Sequence, residues 1–150
     1  MSVKPTFIVC EDGTEYLERL QRFLGGEFHF VRAAGLEALR AALGAHGSAS
    51  GVVLDLDFRR TPTADLVDEG GTPLTEGGAG ARARVAAVQG ILILRALRSS
   101  GVTLPALLCT DIDDPAQLRH VESELAPLSV VPSSESLPRL KARLAALATR

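Results

Sequence analysis

The feature that most constrains the fold of this chain is an alternation along its whole length. Short apolar runs lie at residues 6–10, 28–31, 51–56, 104–109 and 128–131. Each run is followed by a segment whose apolar residues recur with helical spacing. Because strands that alternate with helices form parallel sheets with helices packed against them, the pattern predicts an α/β domain built from βα repeats.

The length and composition bound the class of protein. A chain of 150 residues fits one domain with its own core, and the 46% hydrophobic and 4% aromatic content makes that core mainly aliphatic. The net charge of −2, without a basic block, argues against a nucleic acid or an anionic membrane as partner. Cys10 and Cys109 lack CxxC spacing, and no apolar run approaches the ~18 residues that span a bilayer. We therefore expect a cytoplasmic protein with reduced thiols.

The alternation is interrupted at residues 59–80, which are rich in glycine, threonine and proline. This stretch is much longer than the roughly 2–6 residues of an ordinary βα loop, so it predicts an insertion or flexible flap within a single domain, 1–150. Apolar residues flank the turn-forming segment 68–71, which leaves a small hairpin and a disordered segment as equal alternatives. The next helix is predicted over 81–99, and its apolar residues cover most of its circumference, so part of it should pack under the insertion or a partner.

Acidic residues end two of the predicted strands. Glu11 and Asp12 follow the first strand, and Asp55 and Asp57 lie at the end of the third. The carboxyl ends of parallel strands meet at one edge of the sheet, which is where open α/β folds bind ligands. Clustered carboxylates there suit a hard divalent cation.

Four segments together carry a family resemblance. They read Phe-Ile-Val-Cys-Glu-Asp at 7–12, Val-Val-Leu-Asp at 52–55, Gly-Ile-Leu-Ile-Leu-Arg-Ala-Leu-Arg at 90–98 and Leu-Pro-Ala-Leu-Leu-Cys-Thr at 104–110. In this order the chain resembles the CheY-like receiver domain of bacterial two-component response regulators, over nearly its whole length apart from the insertion. The resemblance implies a doubly wound, flavodoxin-like, five-stranded parallel sheet of order 2-1-3-4-5 with helices on both faces.

The resemblance also implies roles for particular residues. Asp55 matches the phosphoacceptor, and Glu11 and Asp12 match the acidic pair that holds Mg²⁺, whose coordination the backbone carbonyl of Asp57 completes. Thr110 matches the hydroxyl residue that donates a hydrogen bond to the phosphoryl group and couples it to loop position. Such a domain is not an enzyme beyond accepting a phosphoryl group on an aspartate.

One departure from the family pattern concerns the fifth strand. Phosphorylated receiver domains place a lysine at its end, just before a proline, where this chain has Val131 and Pro132. Loss of a charge-assisted contact worth roughly 1.5–3 kcal/mol weakens phosphoryl stabilisation by up to about a hundredfold. An arginine of the insertion that folds over Asp55 is one way to restore the charge. The candidates are Arg59, Arg60, Arg82 and Arg84.

Three functions remain open at this stage. The leading one is a receiver-like domain of two-component signalling that acts through a protein partner or a homodimer, without phosphorylation because the lysine is missing. The first alternative is a phosphorylatable response regulator that accepts a phosphoryl group from a histidine kinase on Asp55 with Mg²⁺. The second alternative is a small-ligand-binding α/β module with the insertion as its lid.

Overall fold

The structure, a computed structural model, describes residues 3–74 and 79–149, and of Ala79 the backbone alone. Its elements in chain order are β1 Thr6–Cys10, α1 Glu15–Leu24, β2 His29–Ala33, α2 Leu36–Ala45, β3 Gly51–Asp55, α3 Ala79–Ala87, α4 Gln89–Ser99, β4 Ala106–Cys109, α5 Pro115–Glu124, β5 Leu128–Val131 and α6 Leu137–Ala148. A 3₁₀ turn at Thr63–Asp65 lies between β3 and α3. Within the described ranges, no helix is long and apolar enough to cross a membrane.

The five strands form one parallel sheet in the order β2-β1-β3-β4-β5, which confirms the predicted fold class. Strand bounds differ from prediction by one or two residues at several ends: β2 begins at His29 rather than 28, and β4 at Ala106 rather than 104. In register, Asp55 pairs with Cys109 and Cys109 pairs with Val131. The last residues of these three strands therefore lie side by side at one edge of the sheet.

The sheet is buried on both faces, as the near-continuous apolar strands require. Successive strand residues alternate between the two faces. The face covered by α2, α3, α4 and α5 carries Ile8, Cys10, Val52, Leu54, Ala106 and Leu108. The face covered by α1 and α6 carries Phe7, Val9, Val53, Leu107, Cys109 and Val131. Each face thus has its own apolar layer.

The prediction of one helix over 81–99 is wrong. The segment forms two helices, α3 and α4, separated by Val88, whose φ is −125° and ψ 20°. The hydrogen bonds explain the break. The Gly90 N–H donates to the Leu56 carbonyl at 3.0 Å, and the Ala86 carbonyl accepts instead from the Phe58 N–H at 2.8 Å. The segment after β3 therefore replaces one bond of the helical ladder with two tertiary bonds.

The described part of the insertion forms a small hairpin, one of the two predicted alternatives. Val67 and Pro73 make an antiparallel bridge, and the Asp68 carboxylate accepts the N–H groups of Gly70 and Thr72 in the turn. The hairpin rests on α4, where the buried Gln89 amide donates to the Val67 carbonyl at 3.0 Å and accepts the Val67 N–H at 2.8 Å. Residues 75–78 of the predicted insertion lie outside the described residues.

Candidate functional site

The candidate site lies where β3 and β4 end side by side. Asp55 is the last residue of β3, and Thr110 follows the Cys109 that pairs with it. Thr110 is 3% exposed; its N–H donates to the Val131 carbonyl at 2.9 Å, and its Oγ1 accepts the Ile112 N–H at 3.1 Å. The topology therefore brings the predicted acceptor and the predicted hydroxyl residue to adjacent strand ends.

Asp55 is half-buried beside other carboxylates. Burial raises its pKa to about 6; the Leu56 N–H, which donates to Asp55 Oδ1 at 2.8 Å, opposes the shift, and the negative charges of Asp12 and Glu11 add to it. Between about pH 4 and 6 the folded protein holds a proton on Asp55 that the unfolded chain has released. The free energy of unfolding therefore falls as the pH rises through this window and stays at the lower level above it.

Replacement of Asp55 by asparagine is accordingly expected to stabilise the protein at pH 7 by about 1–2 kcal/mol, after allowance for solvent screening. The gain should shrink as the pH falls from about 6 and disappear below about pH 4, where Asp55 becomes protonated in both states. Urea unfolding of both proteins at several pH values, in the presence of EDTA, measures the difference in their free energies of unfolding. Asp113→Asn, which removes an exposed acid of the neighbouring loop, is the matched control. A gain that is independent of pH would contradict the prediction.

Glu11 is engaged by the first turn of α1. Its side chain is buried, and its two carboxylate oxygens accept the N–H groups of Tyr16 at 3.1 Å and Leu17 at 2.8 Å. These are among the N–H groups that have no partner within a helix. Burial raises the pKa of Glu11, while these two hydrogen bonds act to lower it. Glu11 therefore closes the N-terminal end of α1.

Asp12 is bound by an arginine of the insertion. Arg60 donates from Nε and Nη2 to the two oxygens of Asp12, at 3.3 Å and 2.9 Å, and from its backbone N–H to Oδ2 at 3.0 Å. The same guanidinium donates to both oxygens of Glu15, at 2.6 Å and 3.0 Å, and these bonds lower the pKa of Glu15 to about 2. Arg60 is thus bidentate toward two carboxylates at once.

The other arginines of the segment have different partners. Arg59 pairs with the carboxylate of Asp57, two residues before it. Arg82 of α3 donates to the carbonyls of Arg59 and Thr61, both at 2.8 Å. An arginine of the insertion does reach the acidic cluster, as expected, but its partners differ from the prediction. It is Arg60, and its guanidinium binds Asp12 and Glu15 rather than Asp55.

The predicted magnesium ligands do not form a metal site in this arrangement. Both oxygens of Asp12 bind Arg60, both oxygens of Glu11 bind α1, and Oδ1 of Asp55 accepts the Leu56 N–H. Across the described residues, no group of three His, Cys, Asp or Glu side chains is placed to hold a metal ion. The donor set as it stands therefore does not fit Mg²⁺.

Comparison with known proteins identifies the fold. No family model and no curated protein matches the sequence. Among solved structures, the chain is similar to a Francisella response regulator receiver domain at 14% identity and a TM-score of 0.66, with 98% of each chain covered. It is also similar to a two-component response regulator from Clostridium difficile, at 11% identity and a TM-score of 0.67, again with 98% of each chain covered. A third similar structure is the BeF3-activated receiver domain of Klebsiella pneumoniae RstA, at 16% identity and a TM-score of 0.63, with 97% of this chain and 99% of that chain covered. The chain has the receiver fold.

Within the receiver fold, the end of β5 is apolar in this protein. Val131 is 1% exposed and packs with the layer under α1 and α6, and Pro132 after it is exposed. A cavity of about 300 Å³ lies beside it, lined by Thr110, Asp111, Ile112, Asp113, Leu118, Val130, Val131 and Pro132. These lining residues, all in the described part of the chain, include no cationic side chain.

A larger groove separates the insertion from α2. Its volume is about 780 Å³, and its walls are the start of α2 around Leu36 and the insertion around Pro62 and Leu66, with Asp12 and Arg60 also in the lining. The insertion therefore forms one wall of a second concavity, whose lining includes Asp12 of the acidic cluster.

Sequence reasoning placed Asp55, Thr110, Glu11 and Asp12 at this edge of the sheet but missed Glu15. The signal was weak, because Glu15 reads as an ordinary acid in the first turn of a helix. Only the position of the Arg60 guanidinium shows that it belongs to the cluster.

Proposed function

We propose that this protein is a receiver-like domain of two-component signalling that acts by binding a protein partner or a second copy of itself, without phosphorylation of Asp55. The observation that carries the proposal is the buried Val131 at the end of β5, beside Thr110. An apolar side chain in that place leaves the β5 side of the pocket without a positive charge.

The energetic consequence follows from charge. A phosphoryl group on Asp55 would add ~1.5–2 negative charges to an edge that holds the carboxylates of Glu11, Asp12 and Asp57, and the neighbouring guanidinium groups of Arg60 and Arg59 are already paired with Asp12 and Asp57. Without a cation on β5, nothing on that side offsets the repulsion. The phosphorylated state is therefore disfavoured, and the surface that a partner reads is the one displayed by the unmodified protein.

The test is to treat the protein with Mg²⁺ and either acetyl phosphate or beryllofluoride. We expect no gain of a phosphoryl group in the intact mass and no movement of the Asp55 and Thr110 amide resonances in NMR spectra. Asp55→Asn is the control that distinguishes modification of this aspartate from modification elsewhere. Light scattering on the same samples should give one oligomeric state for the wild type and Asp55→Asn, with and without the phosphodonor.

The phosphorylatable response regulator is the outcome that would replace this proposal. Asp55 is half-exposed at the strand end, so a phosphodonor can approach it. Uptake of a phosphoryl group by the wild type but not by Asp55→Asn, together with shifts at Thr110, would establish it and overturn the proposal above.

The groove beside α2 supports a second candidate, a small-ligand-binding module. Its volume of about 780 Å³ lies within the range of small-molecule sites, and the insertion forms one wall, as a lid would. Amide shifts confined to residues around Leu36 and Leu66 on addition of a compound library would favour this function.

A further inference from the structure

Arg60 compensates the charge of the Asp12 carboxylate. The Asp12 side chain is 3% exposed, so its charge is almost removed from water. A buried carboxylate needs a cation or several hydrogen-bond donors. Arg60 supplies both, through its guanidinium and its backbone N–H. In the described structure, the counter-charge of Asp12 therefore comes from the chain itself.

A second and independent observation is the space that Gly13 leaves. A Cβ atom at this position would lie 2.4 Å from Arg60 Nη2 and 2.9 Å from Arg60 Cζ. Real Cβ contacts are essentially never this short, and the Glu15 carboxylate that shares the guanidinium is equally near, at 2.3 Å, so a side chain at position 13 would have to displace one or both of them. The loop after β1 is thus shaped to receive a flat cationic group beside the acidic pair.

The segment that carries Arg60 is also held in place. Phe58 is 1% exposed, and its carbonyl accepts the Thr61 N–H at 3.0 Å, closing a turn around Arg60. Arg82 fixes the carbonyls on both sides of Arg60, those of Arg59 and Thr61. These contacts order the backbone of Arg60 independently of its guanidinium. The ion pair with Asp12 therefore does not have to offset the conformational entropy lost by the whole insertion.

We propose that Arg60 is the built-in cation of this pocket. Its guanidinium takes the role that a divalent metal has in phosphorylated receiver domains: it neutralises Asp12 of the acidic pair, and Asp12 is not available to a metal ion while Arg60 is bound. Arg60 holds the carboxylate of Asp12 in place. This inference does not depend on whether the protein signals with or without phosphorylation of Asp55.

The experiment measures cation binding directly, with Mn²⁺ by calorimetry and with Tb³⁺ by luminescence. Tyr16 is the one tyrosine of a chain without tryptophan, and its N–H donates to Glu11, so it can sensitise Tb³⁺ bound at this edge. In Arg60→Gln we expect both ions to bind about ten- to hundredfold more tightly than in the wild type, because a charge-assisted competitor has been removed. The melting temperature of the variant should also rise with Mn²⁺ concentration.

Arg59→Gln is the matched control. It removes the same charge from the adjacent residue, whose partner is Asp57 and whose side chain is 79% exposed. A general electrostatic effect would improve cation binding equally in both variants. If Arg60→Gln gains no affinity over Arg59→Gln, or if the wild type already binds Mn²⁺ as tightly as Arg60→Gln, the proposal is overturned.

Gly13→Ala tests the same inference with Arg60 still present. Its new methyl group meets the ends of the Arg60 and Glu15 side chains, which can move, so the fold should be retained. We expect it to displace the guanidinium and to raise Mn²⁺ affinity in the same direction as Arg60→Gln. Unchanged affinity in a folded Gly13→Ala protein would count against the proposal. The phosphodonor experiment is independent of both results, so failure of one inference is distinguishable from failure of the other.

Discussion

Replacement of Gly90 by alanine is expected to destabilise the protein by about 2–3 kcal/mol and to disturb Asp55. A Cβ atom at Gly90 would lie 2.1 Å from the Asp55 carbonyl oxygen and 3.1 Å from the Leu56 Cα. Both neighbours are backbone at the end of a central strand, so the strain cannot be relieved by a side-chain rotation. Overpacking typically costs about 1–3 kcal/mol and occasionally more, and against rigid backbone we expect about 3–4 kcal/mol, of which about 1 kcal/mol is offset by the gain in helix propensity.

Thermal unfolding measures the effect, with an expected fall of about 4–12 °C for a domain of this size. Gly44→Ala is the control. Gly44 is a helical glycine of α2 with nothing within 4 Å of its Cβ position, so its replacement should stabilise by up to about 1 kcal/mol. Opposite signs for the two substitutions are the decisive result. Equal effects would show that α4 does not press on Asp55.

The second large effect is expected at Arg98, near the end of α4. Its half-buried guanidinium donates to four backbone carbonyls at 2.8–3.0 Å, those of Leu125, Val102, Leu104 and Pro127. Burial lowers its pKa. Arg98→Met leaves these carbonyls without that donor and should cost about 3 kcal/mol. Arg98→Lys should recover only part of the loss, because an ammonium group cannot reproduce the planar fork.

The control for this variant is one turn earlier on the same helix. Arg95 forms an ion pair with Glu124, and both side chains are about a third exposed. Pairs this exposed contribute ~0–1 kcal/mol, so Arg95→Met should have a small effect. Urea denaturation of the three variants ranks them. A loss at Arg98→Met no larger than that at Arg95→Met would contradict the structural role given to the four carbonyl contacts.

The sequence was sufficient for the sheet because each strand carries its own local signal. A buried strand such as 51–55 must be apolar on both faces, and the acids that follow it mark where it emerges. The break at Val88 left no such signal. Apolar residues continue through it with helical spacing, and the cause is a competition for the Gly90 N–H and the Ala86 carbonyl by groups more than 25 residues away in sequence.

The candidate site divides in the same way. Asp55 and Thr110 could be placed together because parallel strands end at a common edge. The partner of Arg60 could not be predicted, since it depends on the path of the chain after Phe58 and on the absence of a side chain at Gly13. The hairpin was one of two alternatives because its anchor, Gln89, reads in sequence as a polar interruption of an apolar helix.

Gln89 has a consequence for how this protein can be re-engineered. Its amide is 1% exposed and takes both polar groups of Val67 as partners. Excision of the hairpin would leave the buried Gln89 Oε1 without its partner and Nε2 with the Val85 carbonyl, at 3.3 Å, as its remaining acceptor. Transfer of the hairpin to another protein of this fold would need a glutamine at the matching helix position. The loop and Gln89 are therefore one transferable unit, and a shortened version of the domain requires an aliphatic residue at 89.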